Sequence, residues 1–267
     1  MRVSASSHGR VFVSPARAHE NAPRLYCFPH AGGSATFFYE MAQKLAPEIE
    51  CVCVQLRGRG ARLSEAPHTS ISEIACEVTG ALTSSLVARP FYFFGHSFGG
   101  VIAFEVIKRL RLEGRPQPDH LFVGAAPPPQ DTCSEDPLHH LPEGEFIQGV
   151  QRRYAGIPSA VLAEPEVLRL LLPALRADLA AFESYQYQPA DSLSCPITAF
   201  VGAEDPVVGL ARSSGWRRNT SSSFETILLP GGHFFPRQST GILTGLLAAR
   251  LANAGRHIKS GADRVTA

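Results

Sequence analysis

The feature that most constrains this chain is the pentapeptide GHSFG at residues 95–99, together with the segments on either side of it. An apolar run at residues 91–94 precedes it, and a helix-like run beginning at Gly100 follows it. Glycines on both sides of a serine are typical of a sharp strand-to-helix turn, because side chains at Gly95 and Gly99 would clash where strand and helix cross. Such a turn would hold Ser97 at the end of a buried strand with its Oγ exposed.

The composition predicts one enzyme-sized globular domain. The 267 residues can bury one sizeable core, and 44% of them are hydrophobic against 18% charged. A net charge of +1 argues against a dedicated nucleic-acid binder. The sequence contains no apolar run long enough to span a membrane, and its N-terminus lacks the apolar segment of a signal peptide. We therefore expect a cytoplasmic protein with neither nucleic acid nor membrane as a partner.

The cysteines predict neither a disulfide scaffold nor a zinc site. Six are present, and none of them stand in C-x-x-C spacing. We expect most of them to be buried small hydrophobic residues. No metal ion and no cofactor is expected.

Strand-like apolar runs alternate with helical patterns along most of the chain. This alternation predicts βαβ units, and hence an α/β fold with a mostly parallel central sheet and helices on both faces. The predicted helices lie at residues 37–45, 71–87 and 100–112. The predicted strands lie at residues 25–28, 49–56, 91–94, 120–123, 197–201 and 226–229.

Residues from about 127 to 190 break this alternation. They open with three prolines and continue as three helical patterns, at 143–154, 165–172 and 173–187, with Pro165 and Pro173 suited to first helical turns. We interpret the stretch as a helical lid inserted over an active site, the alternative being ordinary crossover helices. A single domain is thus expected over residues 23–253, preceded by a disordered segment (1–22) and followed by a polar tail (254–267).

The serine requires a base and an acid. A hydroxyl becomes a nucleophile when a base takes its proton, and the base needs an acid to orient it. When the nucleophilic serine lies in a turn between a strand and a helix, the acid and then the histidine follow it in the chain. Both partners should therefore follow Ser97. Asp205 ends a predicted strand and is preferred to its neighbour Glu204, because an Asp-Pro pair suits a turn that aims the carboxylate.

Only two histidines follow Asp205 in the chain. His257 lies in the polar tail, whereas His233 follows a predicted strand and a Pro-Gly-Gly turn. A loop at that point could bring an imidazole over the serine, so His233 is predicted to be the base; the alternative is a surface histidine.

An acyl-transfer site also needs backbone N–H groups that stabilise the oxyanion. One donor comes from the residue after the nucleophile, which here is Phe98. The second should come from the loop at residues 28–34, where two glycines let the backbone turn its amides toward a substrate. Ala31 is the favoured donor in that loop, with His30 and Gly32 as alternatives.

Five segments of the chain together resemble the type II thioesterases, which are the stand-alone editing enzymes of polyketide and nonribosomal peptide synthases. The vertebrate medium-chain thioesterase that works with fatty acid synthase is a relative of that family. The resemblance extends over residues 23–250, and one departure is Arg57, which replaces a proline and is expected to loosen its loop. The five segments are FPHAGG (28–33), FGHSFGG (94–100), LSCPI (193–197), GAED (202–205) and PGGHFF (230–235).

The resemblance implies an α/β-hydrolase fold and a triad of Ser97, Asp205 and His233, with Ala31 and Phe98 as oxyanion donors. It also implies hydrolysis of acyl groups from the phosphopantetheine thiol of an acyl or peptidyl carrier protein, by a monomer acting in an editing role. The residues alone predict a serine hydrolase. The alternatives are therefore a carboxylesterase or acyltransferase with the same triad and, more remotely, a non-catalytic binding protein.

Two further groups of residues are candidates for substrate recognition. Apolar residues of the insert should line an acyl channel or pack on the core; they include Phe146, Leu168, Leu171 and Leu172. Five arginines are candidates for docking an acidic carrier, the alternative being that they form internal ion pairs. These are Arg57, Arg59, Arg62, Arg152 and Arg153.

Overall fold

The computed structural model describes residues 11–82, 89–132 and 136–262, with side chains up to residue 252. Within these ranges seven strands form one sheet in the order β1-β3-β2-β4-β5-β6-β7. The strands are β1 (Phe12–Val13), β2 (Arg24–Phe28), β3 (Glu50–Val54), β4 (Phe91–His96), β5 (Leu121–Gly124), β6 (Ile197–Gly202) and β7 (Phe224–Leu229). The α-helices are α1 (Tyr39–Leu45), α2 (Ile71–Leu82), α3 (Phe98–Leu112), α4 (Glu143–Tyr154), α5 (Ser159–Leu162), α6 (Pro165–Glu183), α7 (Leu210–Ser213), α8 (Phe235–Gln238) and α9 (Thr240–Ala262).

The sheet is parallel except at one edge. β1 runs antiparallel to β3, and the other neighbouring strands run parallel. Every residue of β4 is buried, as expected for a central strand covered on both faces. Parallel strands end at the same edge of a sheet, so the segments that follow β2, β4, β6 and β7 meet there. The predicted mostly parallel α/β fold is confirmed.

Helices cover both faces of the sheet and create two apolar clusters. On one face α2 and α3 pack through residues such as Ile74, Val101 and Ile102. On the other face α1 and α9 pack through residues such as Met41 and Leu247. No helix in the described ranges is both long and apolar enough to cross a membrane.

The insert between β5 and β6 consists of α4, α5 and α6 and has an apolar cluster of its own. The prediction of α4 was correct to the residue. The prediction of two helices within 165–187 was wrong, because α6 is one helix with Pro173 inside it. Pro173 has no N–H to donate to the carbonyl of Arg169. Both residues are exposed, so water can hydrogen-bond to that carbonyl, and packing of the buried face keeps the helix continuous.

Both chain ends depart from expectation. The prediction of a disordered segment 1–22 was wrong for residues 11–22, since Phe12 pairs with Val54 in the sheet and Val11 is buried; residues 1–10 lie outside the described ranges. A two-residue strand is too short to give a sequence pattern. At the other end α9 continues to Ala262, so residues 254–262 are helical where a polar tail was expected.

Candidate active site

Ser97 occupies a tight turn between β4 and α3. Its backbone has φ 54° and ψ −121°, a region that non-glycine residues rarely occupy. Its N–H donates to the Gly124 carbonyl at 2.8 Å, which fixes the turn on the neighbouring strand. A Cβ at Gly95 would collide with the Gly99 carbonyl, and one at Gly99 would collide with the Phe28 carbonyl. The predicted steric role of the two glycines is confirmed.

The structure brings the three predicted triad side chains together. The His233 Nε2 lies 3.0 Å from the Ser97 Oγ, and its Nδ1 lies 3.0 Å from the Asp205 Oδ2. The other carboxylate oxygen of Asp205 accepts the N–H groups of Val207 (2.8 Å) and Val208 (3.2 Å), which fixes its orientation. The Asp205 side chain is fully buried and that of His233 is 4% exposed. This arrangement can move a proton from the serine to the imidazole.

The loops that carry the acid and the histidine are fastened to each other. The Glu204 N–H donates to the Gly231 carbonyl at 2.9 Å. At the end of β6, Gly202 lies so close to the Gly232 carbonyl that a Cβ would not fit. The side chain of Glu204 is exposed and lines a cleft, so of the two neighbouring acids it is Asp205 that reaches the imidazole.

The amides beside Ser97 define a candidate oxyanion hole. Phe98 is the first residue of α3, so its N–H has no acceptor within the helix and lies at the positive end of the helix dipole. In the loop after β2, the Gly32 N–H donates to Asp178 Oδ2 at 2.7 Å. The Ala31 N–H donates to no acceptor among the described residues, and Ala31 lines a cavity with Ser97 and Phe98. These bonds favour Ala31 over Gly32 as the second donor.

Three cavities meet at this site. A cleft of about 710 Å³ runs between the loop after β2 and the insert and reaches His233. Two smaller cavities, of about 40 and 170 Å³, both reach Ser97; the smaller also touches the loop after β2 and the larger the segments after β5 and β6. Tyr154 of α4 lines all three, and its ring centroid lies 5.6 Å from that of His233. The insert therefore lines the site; that it acts as a lid stays a prediction.

His96, which is fully buried, and His30, which is partly exposed, pack beside the candidate base. Burial, together with the proximity of His233, lowers the pKa of His30 to about 3. Burial likewise lowers the pKa of His96, which is stacked on Phe37 and has its ring centroid 5.7 Å from that of His233. Both rings are therefore neutral at pH 7 and form an uncharged wall behind His233. This packing indicates a structural role for His96.

Most of the arginines proposed for docking are engaged inside the protein. Arg59 and Arg62 are each 3% exposed, and Arg62 pairs with Glu77 at 2.7 Å, so neither offers a free charge to a partner. Arg57 also bonds to Glu77, at 2.8 Å, which ties down the loop that its presence was expected to loosen. Arg153 donates to the Asp136 carbonyl.

Four residues at the site were not predicted from the sequence, and all of them lie in the insert. Phe182 lines both small cavities, and its ring lies 5.9 Å from that of Phe98. The other three are Tyr154, Leu175 and Asp178. A charged residue within the apolar pattern of α6 was the one available signal, and it concerned Asp178.

The apolar residues proposed for the acyl channel divide between two roles. Leu168, Leu171 and Leu172 line the large cleft. Phe146 is fully buried in the insert's own cluster and lines none of the three cavities.

Five of the six cysteines lie in the described ranges, and none of these five lines the three cavities; Cys133 lies outside those ranges. Among the described residues Cys27, Cys51, Cys53 and Cys195 are buried with free thiols, and Cys76 is exposed. Burial raises the pKa of Cys195 to about 11, so its thiol is inert at neutral pH. Within the same ranges no group of three His, Cys, Asp or Glu side chains could hold a metal ion.

Comparison with known proteins places the chain in a family. Residues 23–251 match the model of the thioesterase domain. The chain is 40% identical to the gramicidin S biosynthesis protein GrsT of Aneurinibacillus migulanus over 216 residues, which is 81% of this chain and 84% of that protein. It is 34% identical to the medium-chain S-acyl fatty acid synthase thioesterase of Rattus norvegicus over 216 residues, covering 79% and 81% of the two chains.

The fold agrees with a solved structure of the same kind. BorB, the type II thioesterase from the borrelidin biosynthetic cluster, superposes with a TM-score of 0.80 at 33% identity over 90% of this chain and 96% of that one. The predicted resemblance to the type II thioesterases and the α/β-hydrolase fold that it implied are confirmed. The chain belongs to the thioesterase family and is a thioester hydrolase.

Proposed function

We propose that Ser97, His233 and Asp205 hydrolyse acyl groups from the phosphopantetheine arm of a carrier protein, and that the enzyme edits intermediates of a polyketide or nonribosomal peptide synthase. The observation that carries the proposal is the pair of 3.0 Å contacts that join the strained serine to the histidine and the histidine to the aspartate. Nucleophile, base and orienting acid are thus in hydrogen-bond contact before any substrate arrives.

In the first half of the reaction Ser97 is acylated. His233 Nε2 takes the proton of the Ser97 Oγ as that oxygen attacks the thioester carbonyl. The carbonyl oxygen becomes an oxyanion, which the N–H groups of Phe98 and Ala31 stabilise. The C–S bond then breaks, His233 returns the proton to the departing sulfur, and the thiol leaves.

In the second half water regenerates the enzyme. With the thiol gone, His233 takes a proton from a water molecule, and the resulting hydroxide attacks the acyl-serine ester. The same two N–H groups stabilise the second oxyanion. The ester bond breaks, the proton passes from His233 to the Ser97 Oγ, and a free carboxylic acid is released. Asp205 holds the imidazole in place throughout and stabilises its charged form.

The cavities support an acyl-pantetheine substrate. Such a thioester carries a chain on each side of the reacting carbonyl, and two cavities with largely different linings reach Ser97. The large cleft reaches the surface between Arg152 and Arg237, which are both exposed and could meet the phosphate of a phosphopantetheine arm.

The names of the relatives support a role beside a synthase. One relative is a gramicidin S biosynthesis protein, the solved neighbour is a type II thioesterase from a borrelidin cluster, and the rat relative is a fatty acid synthase thioesterase. We extend that setting to this chain: a monomeric, cytoplasmic enzyme with one hydrolase domain, a helical lid, and an acyl or peptidyl carrier protein as its partner.

The test compares three substrates that share one acyl group. They are an acyl-loaded carrier protein, the acyl thioester of N-acetylcysteamine, and the corresponding oxygen ester, each assayed for release of the carboxylic acid. We expect kcat/KM to fall in that order. The control is Ser97→Ala, which removes a single oxygen and should abolish turnover of all three.

Three outcomes would contradict the proposal. A preference for the oxygen ester would indicate a carboxylesterase. Transfer of the acyl group to an added amine or alcohol in preference to water would indicate an acyltransferase. Binding of the carrier-bound acyl group without multiple turnover would indicate a non-catalytic binding protein.

A further inference from the structure

A buried ion pair joins the helical insert to the core beside the candidate oxyanion hole. Arg59 follows β3, and Asp178 lies in α6, 119 residues away in the chain. Their side chains are 3% and 2% exposed. The guanidinium faces the carboxylate with two parallel bonds, Nη2 to Oδ1 at 2.8 Å and Nη1 to Oδ2. Such a fork fixes orientation as well as distance.

The same ion pair holds the loop after β2 from two directions. Asp178 Oδ2 accepts the N–H of Gly32 at 2.7 Å. Arg59 Nη1 donates to the carbonyl of Gly33 at 3.1 Å. Gly32 and Gly33 are the two residues that follow Ala31 in the chain, and Ala31 carries the candidate oxyanion N–H.

α6 also packs against this loop with an apolar side chain. Gly32 has φ +73°, and a Cβ there would lie 2.9 Å from Leu175 Cδ1. Leu175 and Asp178 are three residues apart, so they share one face of the helix. The helix therefore contacts one glycine with both a leucine and a carboxylate, which leaves that peptide little freedom to rotate.

The core fixes Arg59 from its other side. The Gln55 amide donates to the Arg59 carbonyl at 3.0 Å, and its oxygen accepts the Ala35 N–H at 3.3 Å. Arg59 Nε donates to the Arg57 carbonyl at 3.0 Å. Hydrogen bonds thus fix both the backbone and the side chain of Arg59, and the fixed guanidinium in turn fixes the carboxylate of Asp178 relative to the core.

We propose that Asp178, held by Arg59, is a positioning residue for the oxyanion hole. By accepting the Gly32 N–H it fixes the turn so that the neighbouring Ala31 N–H is free and aimed at the thioester carbonyl beside Ser97. The assembly of the hole then depends on the seating of α6, since its carboxylate comes from the insert. This inference rests on the proposed function, because it assumes that the Ala31 amide stabilises an oxyanion.

The test replaces the ion pair by apolar side chains of similar size, in the double variant Arg59→Met with Asp178→Leu. Exchanging both partners avoids an isolated buried charge, and such exchanges of buried ion pairs are often neutral or stabilising. We expect a melting temperature close to that of the wild type. With an acyl-N-acetylcysteamine thioester, kcat should fall about 10- to 100-fold while KM stays within about twofold, because a displaced oxyanion donor acts on the transition state.

A matched control removes a neighbouring ion pair. Arg62 pairs with Glu77 at 2.7 Å in the segment that also carries Arg59, and neither residue bonds to Gly32 or Gly33. The double variant Arg62→Met with Glu77→Leu should therefore keep kcat within about twofold of the wild type, since it leaves the donors of the hole in place.

A second readout separates positioning from general support. A trifluoromethyl ketone analogue of the substrate forms a tetrahedral adduct with Ser97 and needs the oxyanion hole, whereas an unreactive thioether analogue binds without it. The Arg59/Asp178 variant should lose ketone affinity by the same factor as kcat and keep its thioether affinity. Arg59→Lys retains the charge without the fork and should show a smaller loss in the same two readouts; it also serves if the double variant does not fold.

Two results would overturn the inference. Unchanged kcat and ketone affinity in a folded variant would mean that the ion pair does not position the hole. Equal weakening of the ketone and the thioether would mean that it supports the whole pocket. Failure of the proposed function would look different, because it would show in the wild type itself, as a preference for the oxygen ester, acyl transfer to an added nucleophile or binding without turnover.

Discussion

The edge of the sheet and the helical insert are built in different ways although both contact the substrate site. At the sheet edge, Ser97, Asp205 and His233 are fixed by strand ends, close glycine contacts and backbone hydrogen bonds. The insert packs around a small cluster of its own and exposes large apolar side chains such as Val167 (42%) and Leu170 (51%).

This difference separates two tasks. The reaction requires the triad side chains to be held at fixed distances and angles, and the rigid parallel sheet holds them there. Selection among acyl groups requires an apolar surface near the serine, and the insert supplies it through Tyr154, Leu175 and Phe182. The Arg59–Asp178 pair is where the two regions meet. Variants at the edge and at this ion pair should therefore change the rate, whereas variants of the insert residues that line the cavities beside Ser97 should change the preference among acyl groups.

The largest effect is expected from Asp205→Asn. An amide in place of the carboxylate favours the wrong tautomer of His233, which should lower kcat about 10⁴-fold with little change in melting temperature. The matched control is Glu204→Gln, an exposed neighbour, which should keep nearly full activity. Hydrolysis of an acyl-N-acetylcysteamine thioester gives the comparison, and a greater loss in Glu204→Gln would show that the acid has been misidentified.

An intermediate effect is expected from Phe182→Leu. The smaller side chain enlarges the cavities that flank Ser97, so kcat/KM for long or branched acyl groups should rise about tenfold relative to that for short ones. Phe146→Leu is the matched control, since it removes the same volume from the insert's own cluster away from the cavities. It should lower the melting temperature and leave the acyl profile unchanged. Identical profiles in the two variants would refute a selective role for the insert beside Ser97.

The smallest effect concerns the loss of stability in acid, to which we expect a histidine beside the sheet, His120, to contribute. Burial lowers the pKa of His120 to about 4, below the ordinary value of 6.5. Between these values the unfolded chain binds a proton that the folded chain does not, so the free energy of unfolding falls as the pH falls from about 6.5 to 4.

His120→Gln should reduce the slope of the free energy of unfolding against pH by about 1.4 kcal/mol per pH unit, the value that corresponds to the uptake of one proton on unfolding. Denaturant titrations at several pH values measure it. His140→Gln, an exposed histidine of the insert, is the control and should leave the slope unchanged. If His120→Gln left the slope unchanged, His120 would not be a histidine that stays neutral in the folded protein over this pH range.

The residues at the sheet edge could be predicted because their signals are local. A strand, a turn with obligatory glycines and a helix stand in sequence around Ser97, and a strand followed by a Pro-Gly-Gly turn precedes His233. The order of serine, acid and histidine then left few candidates. Local signals of this kind survive without any knowledge of the tertiary structure.

The contacts of the insert could not be predicted, because their partners are distant in sequence. Asp178 interrupts the apolar pattern of α6, but the pattern does not identify its partners Arg59 and Gly32, which lie 119 and 146 residues away in the chain. Pro173 normally marks a helix start, yet the packing of α6 outweighed that preference. Arg62 stayed a candidate for docking, with an internal ion pair as the alternative, because nothing in its sequence neighbourhood shows that it pairs with Glu77.

The most direct test of the account is to trap the acyl-enzyme. The enzyme is mixed with an acyl-loaded carrier protein, quenched within milliseconds and analysed by intact and peptide mass spectrometry. We expect one acyl group on Ser97 of the wild type, formed together with an equal amount of free carrier thiol. In Ser97→Ala we expect neither product. An acyl group on a different residue, or release of the carrier thiol by Ser97→Ala at the wild-type rate, would contradict it.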